Sequence, residues 1–389
     1  MAASSPPLRI FIVAAEPSGD LIGAELVRAL RAESPDVEIA GVGREAMAAE
    51  GVSSDIDLSA LSVLGLFDGL RVLRLVHERA AACAQAAAAF RADQVVLIDS
   101  WGFMLRVAWK VREACPATRI VKYIGPQAFA TRPGRAKVLA RAVDNLLAIH
   151  TFDPEYFEPH GLPTTVVGNP ALERLLDGDG TAFRDRHHIA ADARVMLVLF
   201  GSRKAEVERL FDDFADTAEQ LLSSRPDLRL VTVVAPSVAP AVRERLAARP
   251  GLSGMIVAGP EERLDAFSAA DAALACSGTV TLELSRLGVP SVVAYRLGPV
   301  AWKIAWHFLM RAPHISLVNL AAGRALLTER LQTQAVPEFL VPDMAGLLDD
   351  PVHRAAVSAA LREITAKMAG NGEGASVNAA RTLLKLGPR

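Results

Sequence analysis

Arg194-Val195-Met196-Leu197-Val198-Leu199-Phe200-Gly201-Ser202-Arg203 is an apolar run that ends in small and polar residues, and Ala272-Ala273-Leu274-Ala275 leads into Ser277-Gly278-Thr279-Val280-Thr281-Leu282-Glu283 in the same way. Each reads as a strand, a tight turn and a helix start. Free N–H groups at a helix start, together with the positive end of its dipole, favour a phosphate. A nucleotide diphosphate is therefore the first ligand to consider. Tight strand-to-helix turns also use these residues for steric reasons alone. The two turns together, with Glu283 one helical turn into the second helix, favour binding, because a carboxylate there can accept hydrogen bonds from ribose hydroxyls.

The same alternation extends in both directions. Residues 9–15 read as a strand, followed by the loop Glu16-Pro17-Ser18-Gly19-Asp20 and a helix with Leu21, Leu26, Val27 and Leu30 at helical spacing. Further strands are expected at 37–42, 94–98, 119–124, 146–150 and 164–167, with an Ala-rich helix over 72–90. The stretch 169–192 is polar and broken by Gly and Pro, and reads as a linker. Beyond it, strands are expected at 194–200, 229–235, 254–258, 272–275 and 291–295. Alternating strands and helices predict α/β architecture with doubly wound parallel sheets. The expected organisation is two Rossmann-like domains, 1–175 and 190–365, followed by a C-terminal helix in 366–389, which by analogy with related two-domain enzymes packs back on the first domain. Ligands of such sheets sit beyond the C-terminal strand ends, so two facing domains would share a cleft, the plan of GT-B glycosyltransferases and some sugar-nucleotide epimerases.

The 389 residues suffice for two cores, and 51% apolar, 22% charged residues and a net charge of −2 carry no polyelectrolyte signature, so nucleic acid is not an expected partner. Cys83, Cys115 and Cys276 lack metal or disulfide spacing and fit a reducing cytoplasm. The N-terminus lacks the pattern of a signal peptide, and no run approaches the ~18 apolar residues of a membrane span. Two stretches, 63–75 and 300–311, mix bulky apolar groups with cations. In the second, Trp302, Lys303, Trp306 and Arg311 suit a water–lipid interface, although an amphipathic core helix gives the same pattern. His150, His160, His187 and His188 have no partner spacing and read as structural.

Several short motifs, in order along nearly the whole chain, resemble those of the lipid A disaccharide synthase family of GT-B glycosyltransferases. They are Ala15-Glu16-Pro17-Ser18-Gly19-Asp20, Leu61-Ser62-Val63-Leu64-Gly65, Ile98-Asp99, Gly168-Asn169-Pro170, Gly201-Ser202-Arg203, Ser277-Gly278-Thr279-Val280-Thr281-Leu282-Glu283, Gly288-Val289-Pro290, Val293-Ala294-Tyr295-Arg296 and Ile315-Ser316-Leu317-Val318-Asn319-Leu320. The resemblance implies an inverting transfer of 2,3-diacylglucosamine from its UDP donor to the 6-hydroxyl of a diacylglucosamine 1-phosphate, without a metal or other cofactor. It implies Asp99 as the base and Glu16 as a second acid. Gly201, Ser202, Arg203, Ser277, Gly278 and Thr279 would surround the diphosphate, with Glu283 on the ribose and Arg296 and Asn319 also in the donor cleft. Ser18, Gly19, Asp20 and Asn169 fall on the acceptor side. The implied location is peripheral, on the cytoplasmic face of the membrane, and a homodimer stays open.

The departures gather in the first half. The family's Asp-Ala-Pro-Asp-Phe-Asn stands here as Asp99-Ser100-Trp101-Gly102-Phe103-Met104, its Ser-Pro-Ser-Val-Trp-Ala-Trp as Gly125-Pro126-Gln127-Ala128-Phe129-Ala130-Thr131, and its Gly-His-Pro as Gly168-Asn169-Pro170. This predicts a retained UDP-sugar site and an altered acceptor side. A different acceptor, an epimerase-like reaction or a noncatalytic membrane-associated binding protein are the alternatives. Residue by residue, Asp99 also reads as a helix cap, and Arg203 as a surface cation paired with Glu206 or Glu208.

Overall fold

The computed structural model describes residues 6–58, 69–129, 134–175, 177–298, 302, 313–370 and 372–389, the side chains of 69–73 excepted. The chain forms two compact units. One comprises the chain up to Pro170 together with Met368–Arg389, and the other is Ala171–Lys367.

The first unit is built on a six-stranded parallel sheet. Its strands are β1 (Arg9–Ala14), β2 (Glu38–Val42), β3 (Gln94–Ile98), β4 (Arg119–Tyr123), β5 (Asn145–Ala148) and β6 (Thr164–Val166), in the order β2-β1-β3-β4-β5-β6. Parallel strands covered on both faces read as unbroken apolar runs. Along β1 the side chains divide by the twofold repeat of a strand: Ile10, Ile12 and Ala14 join one buried cluster, and Phe11 and Val13 another. The helix Pro17–Glu33 covers the first of these faces with Ile22, Leu26, Val27 and Leu30 at three- and four-residue spacing. The C-terminal helix Ala375–Leu386 packs beside it and contributes Ala379, Ala380 and Leu383 to the same cluster.

The second unit repeats the plan with β7 (Val195–Leu199), β8 (Arg229–Val233), β9 (Ile256–Ala258), β10 (Ala272–Cys276), β11 (Ser291–Tyr295) and β12 (Thr328–Leu331), ordered β12-β11-β10-β7-β8-β9. The long helix Lys204–Ser224 buries Val207, Leu210, Phe211, Phe214, Ala218 and Leu221 on one face. At roughly 1.5–3 kcal/mol for each large side chain, that stripe outweighs the modest helix propensity of its Asp, Phe and Thr residues.

The boundaries differ from the sequence reading at two places. The stretch expected as a linker, 169–192, contains the helices Pro170–Glu173 and Gly180–Arg186, and Phe183 and Ile189 lie in a core cluster of the second unit. β12 was not expected. Its polar sequence Thr328-Glu329-Arg330-Leu331 is neutralised by partners, Glu329 accepting from the amides of Ile315 and Ser316 and Arg330 from its Nε and Nη2 donating to Asp343. The motif 61–65 lies outside the described residues.

Candidate functional site

In the second unit, β7 leads to β8 and β9 on one side, and the chain then crosses to β10 and β11 on the other. β7 and β10 are neighbours whose onward connections diverge, so a crevice opens beyond their C-terminal ends. A cavity of ≈ 390 Å³ lies there, bounded by Gly201, Ser202 and Arg203 after β7, Ala235 and Pro236 after β8, Pro260, Arg263 and Phe267 after β9, and Ser277, Gly278, Thr279 and Glu283 after β10. This volume falls in the range of small-ligand sites.

The two turns are not equivalent. Gly201 has φ 110°, and a Cβ there would lie 2.6 Å from that of Glu206, so glycine is required on both counts. Glu206 Oε2 accepts from the amides of Ser202 (3.0 Å) and Arg203 (3.2 Å), and Arg203 Nη1 donates to Glu206 Oε1 at 2.8 Å. The carboxylate thus occupies the anion position at this helix start, and the Arg203 side chain remains largely exposed. At the second turn the Ser277 amide donates to Ala294 O in the adjoining strand β11, while Gly278 is the N-cap of the helix Thr279–Leu287 and has open space where a Cβ would point. First-turn amides of that helix point out of its N-terminal end. Glu283 is ion-paired to Arg263. The sequence reading missed Arg263, Pro260 and Phe267, which follow an unremarkable strand; the cavity wall assembles only when β9 joins the sheet edge.

Arg296 and Asn319 do not line this cavity. Arg296 donates to Arg209 O, to Asp213 Oδ2 at 2.6 Å and to Ala335 O at 2.7 Å. Asn319 is fully buried; its Nδ2 donates to Leu327 O and Glu329 Oε1, and its Oδ1 accepts from the amides of Leu326 and Leu327. With every amide group engaged, it holds the start of β12 in place. Trp302 is half-buried, and its amide donates to Gly298 O; Lys303, Trp306 and Arg311 lie outside the described residues.

In the first unit, Glu16 and Asp99 follow neighbouring strands whose ends are in register, Ala14 beside Ile98. Glu16 is exposed at the N-cap of the helix Pro17–Glu33 and makes no side-chain cap bond, and Ser18 is exposed beside it. Asp99 is not a helix cap: the N-cap of the helix Trp101–Ala114 is Ser100, without a side-chain bond. Asp99 and Ser100 have φ 50° and 40°, and Ile124, just past β4, has φ 68°. For residues other than glycine this left-handed region costs about 1–2 kcal/mol each. Lys122, 2% exposed, lies among them, with Nζ donating to Leu97 O (3.2 Å), Asp99 O (2.5 Å) and Tyr123 O (3.1 Å). Burial pushes this lysine down to about 7, opposed by the negative charges of Asp99 and Glu16. Sequence reading passed over Lys122, although a lysine inside the run Ile120-Val121-Lys122-Tyr123 was a visible signal.

Asp20 differs from the acceptor-side reading. It is buried, and its carboxylate accepts from the amides of Arg44 (2.6 Å), Ala46 (2.8 Å) and Met47 (3.3 Å), capping the helix Glu45–Ala49. Gly19 packs on Ile98, 3.6 Å from its Cγ2 to the site of a Cβ. Asn169 is buried, and its main-chain N–H donates to Met368 O at 2.7 Å. Of the departing positions, Met104 is fully buried in the core, so an apolar side chain stands where the family has an amide. Among the described residues no group of three or more His, Cys, Asp or Glu side chains converges as metal ligands would, and no helix is long and apolar enough to cross a membrane.

Two doubly wound parallel sheets in one chain define the GT-B class of α/β proteins. Similar solved structures include a UDP-N-acetylglucosamine 2-epimerase of Listeria monocytogenes described as putative (TM-score 0.65, 15% identity, covering 98% of this chain and 96% of that one) and the Neisseria meningitidis UDP-GlcNAc 2-epimerase (TM-score 0.60, 12% identity, 97% and 100%). At these identities they establish the fold alone. Residues 10–369 match the family model of lipid-A-disaccharide synthetase. Lipid-A-disaccharide synthases of Rhodospirillum centenum (42% identity, covering 90% of this chain and 87% of the relative) and Paramagnetospirillum magneticum (38%, 96% and 96%) are similar over most of their length. The chain belongs to the lipid-A-disaccharide synthase family and is a hexosyltransferase of that type.

Proposed function

We propose that the chain condenses UDP-2,3-diacylglucosamine with 2,3-diacylglucosamine 1-phosphate. Asp99 removes the proton of the acceptor 6-hydroxyl, that oxygen attacks the donor anomeric carbon, and the bond from this carbon to the diphosphate oxygen breaks with inversion. UDP departs carrying the electron pair. Arg203 and the helix-start amides near Gly278 and Thr279 stabilise the charge that develops on it, and Glu283 holds the ribose. Glu16 adds a second carboxylate beside the base.

The observation that carries this reading is the open helix start at Gly278, with Glu283 one turn along, in a cavity beyond the β7 and β10 ends of a chain in this family. The acylated substrates place the work at a lipid surface. We assign the protein to the cytoplasmic face of the membrane, with Trp302, Lys303, Trp306 and Arg311 as the contact.

The test is incubation of the purified protein with both acylated substrates, followed by product mass and UDP release. Disaccharide formed by the wild type and lost in Asp99→Ala is the expected result. UDP binding without disaccharide would overturn it in favour of another acceptor or a binding role.

A further inference from the structure

We propose that Lys122 is a positioning residue, holding the turns after β3 and β4 so that the Asp99 carboxylate is presented in one orientation. The inference rests on the reaction above, in which Asp99 is the base. A lysine in a central strand, paired in register with Leu97 and shielded from solvent, gives up hydration that an apolar side chain would not. What it gains is specific. An ammonium has three donors, and three main-chain carbonyls accept them, those of Leu97, Asp99 and Tyr123. Two of these flank the end of β3 and the third ends β4, immediately before the left-handed Ile124. Asp99 and Ser100 are left-handed as well, and strain of this kind persists only where the surroundings over-determine it. Lys122 touches both turns and reinforces the bond from the Asp99 amide to Tyr123 O that links them. Its charge also faces the two carboxylates, Asp99 and Glu16.

The test compares wild type with Lys122→Met, with Lys122→Gln as the second variant should the first fail to fold. Misplacing a catalytic group by about 1 Å costs on the order of 100-fold, so kcat per folded molecule should fall about 100-fold while KM for the UDP donor stays within about threefold. Adding Ser100→Gly, which adopts the left-handed turn without strain, should restore part of the lost kcat. A variant with wild-type kcat and merely lowered Tm overturns the proposal. If the wild type makes no disaccharide, the reaction itself fails, and hydrogen exchange decides the positioning. The amides of Asp99 and Met104, which donate to Tyr123 O and Ser100 O, should then exchange at least about tenfold faster in the variant, and unchanged exchange overturns it.

Discussion

The Oε2 atom of Glu206 lies 3.0 Å from the amide nitrogen of Ser202, so a side chain of this chain already fills the anion position at the first phosphate-like turn. The turn at Gly278 is therefore the proposed diphosphate site. Glu206→Ala should lower stability by about 1 kcal/mol through the lost cap and leave the Kd for UDP within about threefold. Denaturant unfolding and titration calorimetry read the two separately, and a tenfold weaker Kd would contradict the assignment.

Glu283 and Arg263 should behave as one unit. Glu283→Ala should weaken UDP about tenfold, equivalent to about 1.4 kcal/mol, and Arg263→Ala by less. If Arg263 acts by orienting Glu283, the double variant binds UDP no worse than Glu283→Ala alone. Additive losses would show that the guanidinium contacts the nucleotide itself.

Asp20→Ala leaves three amides without their acceptor. A loss of about 2–3 kcal/mol is expected, seen as a lower urea midpoint at unchanged m-value. A shift below about 0.5 kcal/mol would show that water replaces the carboxylate freely.

His150 and Asp153 set opposing pH dependences. Burial pushes His150 down to about 4 and Asp153 up to about 7. The depressed histidine contributes stability above pH 6.5 that is lost as pH falls through about 4. The raised aspartate contributes stability below pH 3.8 that is lost as pH rises through about 7. Between roughly pH 4 and 6.5 the folded and unfolded states bind equal numbers of protons at this pair, and the slopes cancel. His150→Leu should expose a stability that falls with rising pH, and Asp153→Asn one that rises, each approaching ~1.4 kcal/mol per pH unit. Identical flat profiles in both variants would refute the assignment.

The sheets were legible because buried parallel strands are written as continuous apolar runs. β3 and β11 fall where the pattern puts them. β12 was illegible because its charges are satisfied by Asp343, Asn319 and main-chain amides ten to fourteen residues away, beyond the reach of the periodicity of a four-residue strand. The turns at Gly201 and Gly278 were visible, yet their inequivalence depends on the rotamer of Glu206. The family resemblance alone puts Arg296 and Asn319 in the donor cleft, and the hydrogen bonds they make to neighbouring carbonyls, amides and carboxylates are invisible in the sequence. Lys122 shows the converse, a residue hidden among strand formers whose use depends on carbonyls at the ends of two strands.

The buried amide of Gln94 donates to the carbonyls of Leu383 and Gly387, both at 2.8 Å. The side-chain donor of a residue in β3 is therefore satisfied by residues made after the whole of the second unit. During synthesis Ala171–Lys367 is complete as a contiguous piece, whereas the unit begun before it must wait, with one face of its sheet covered only in part by the helix Pro17–Glu33, for the helix Ala375–Leu386 to emerge. The order of translation and the order of completion are reversed. Removal of Ala375–Arg389 would accordingly damage the unit built mainly from residues up to Pro170.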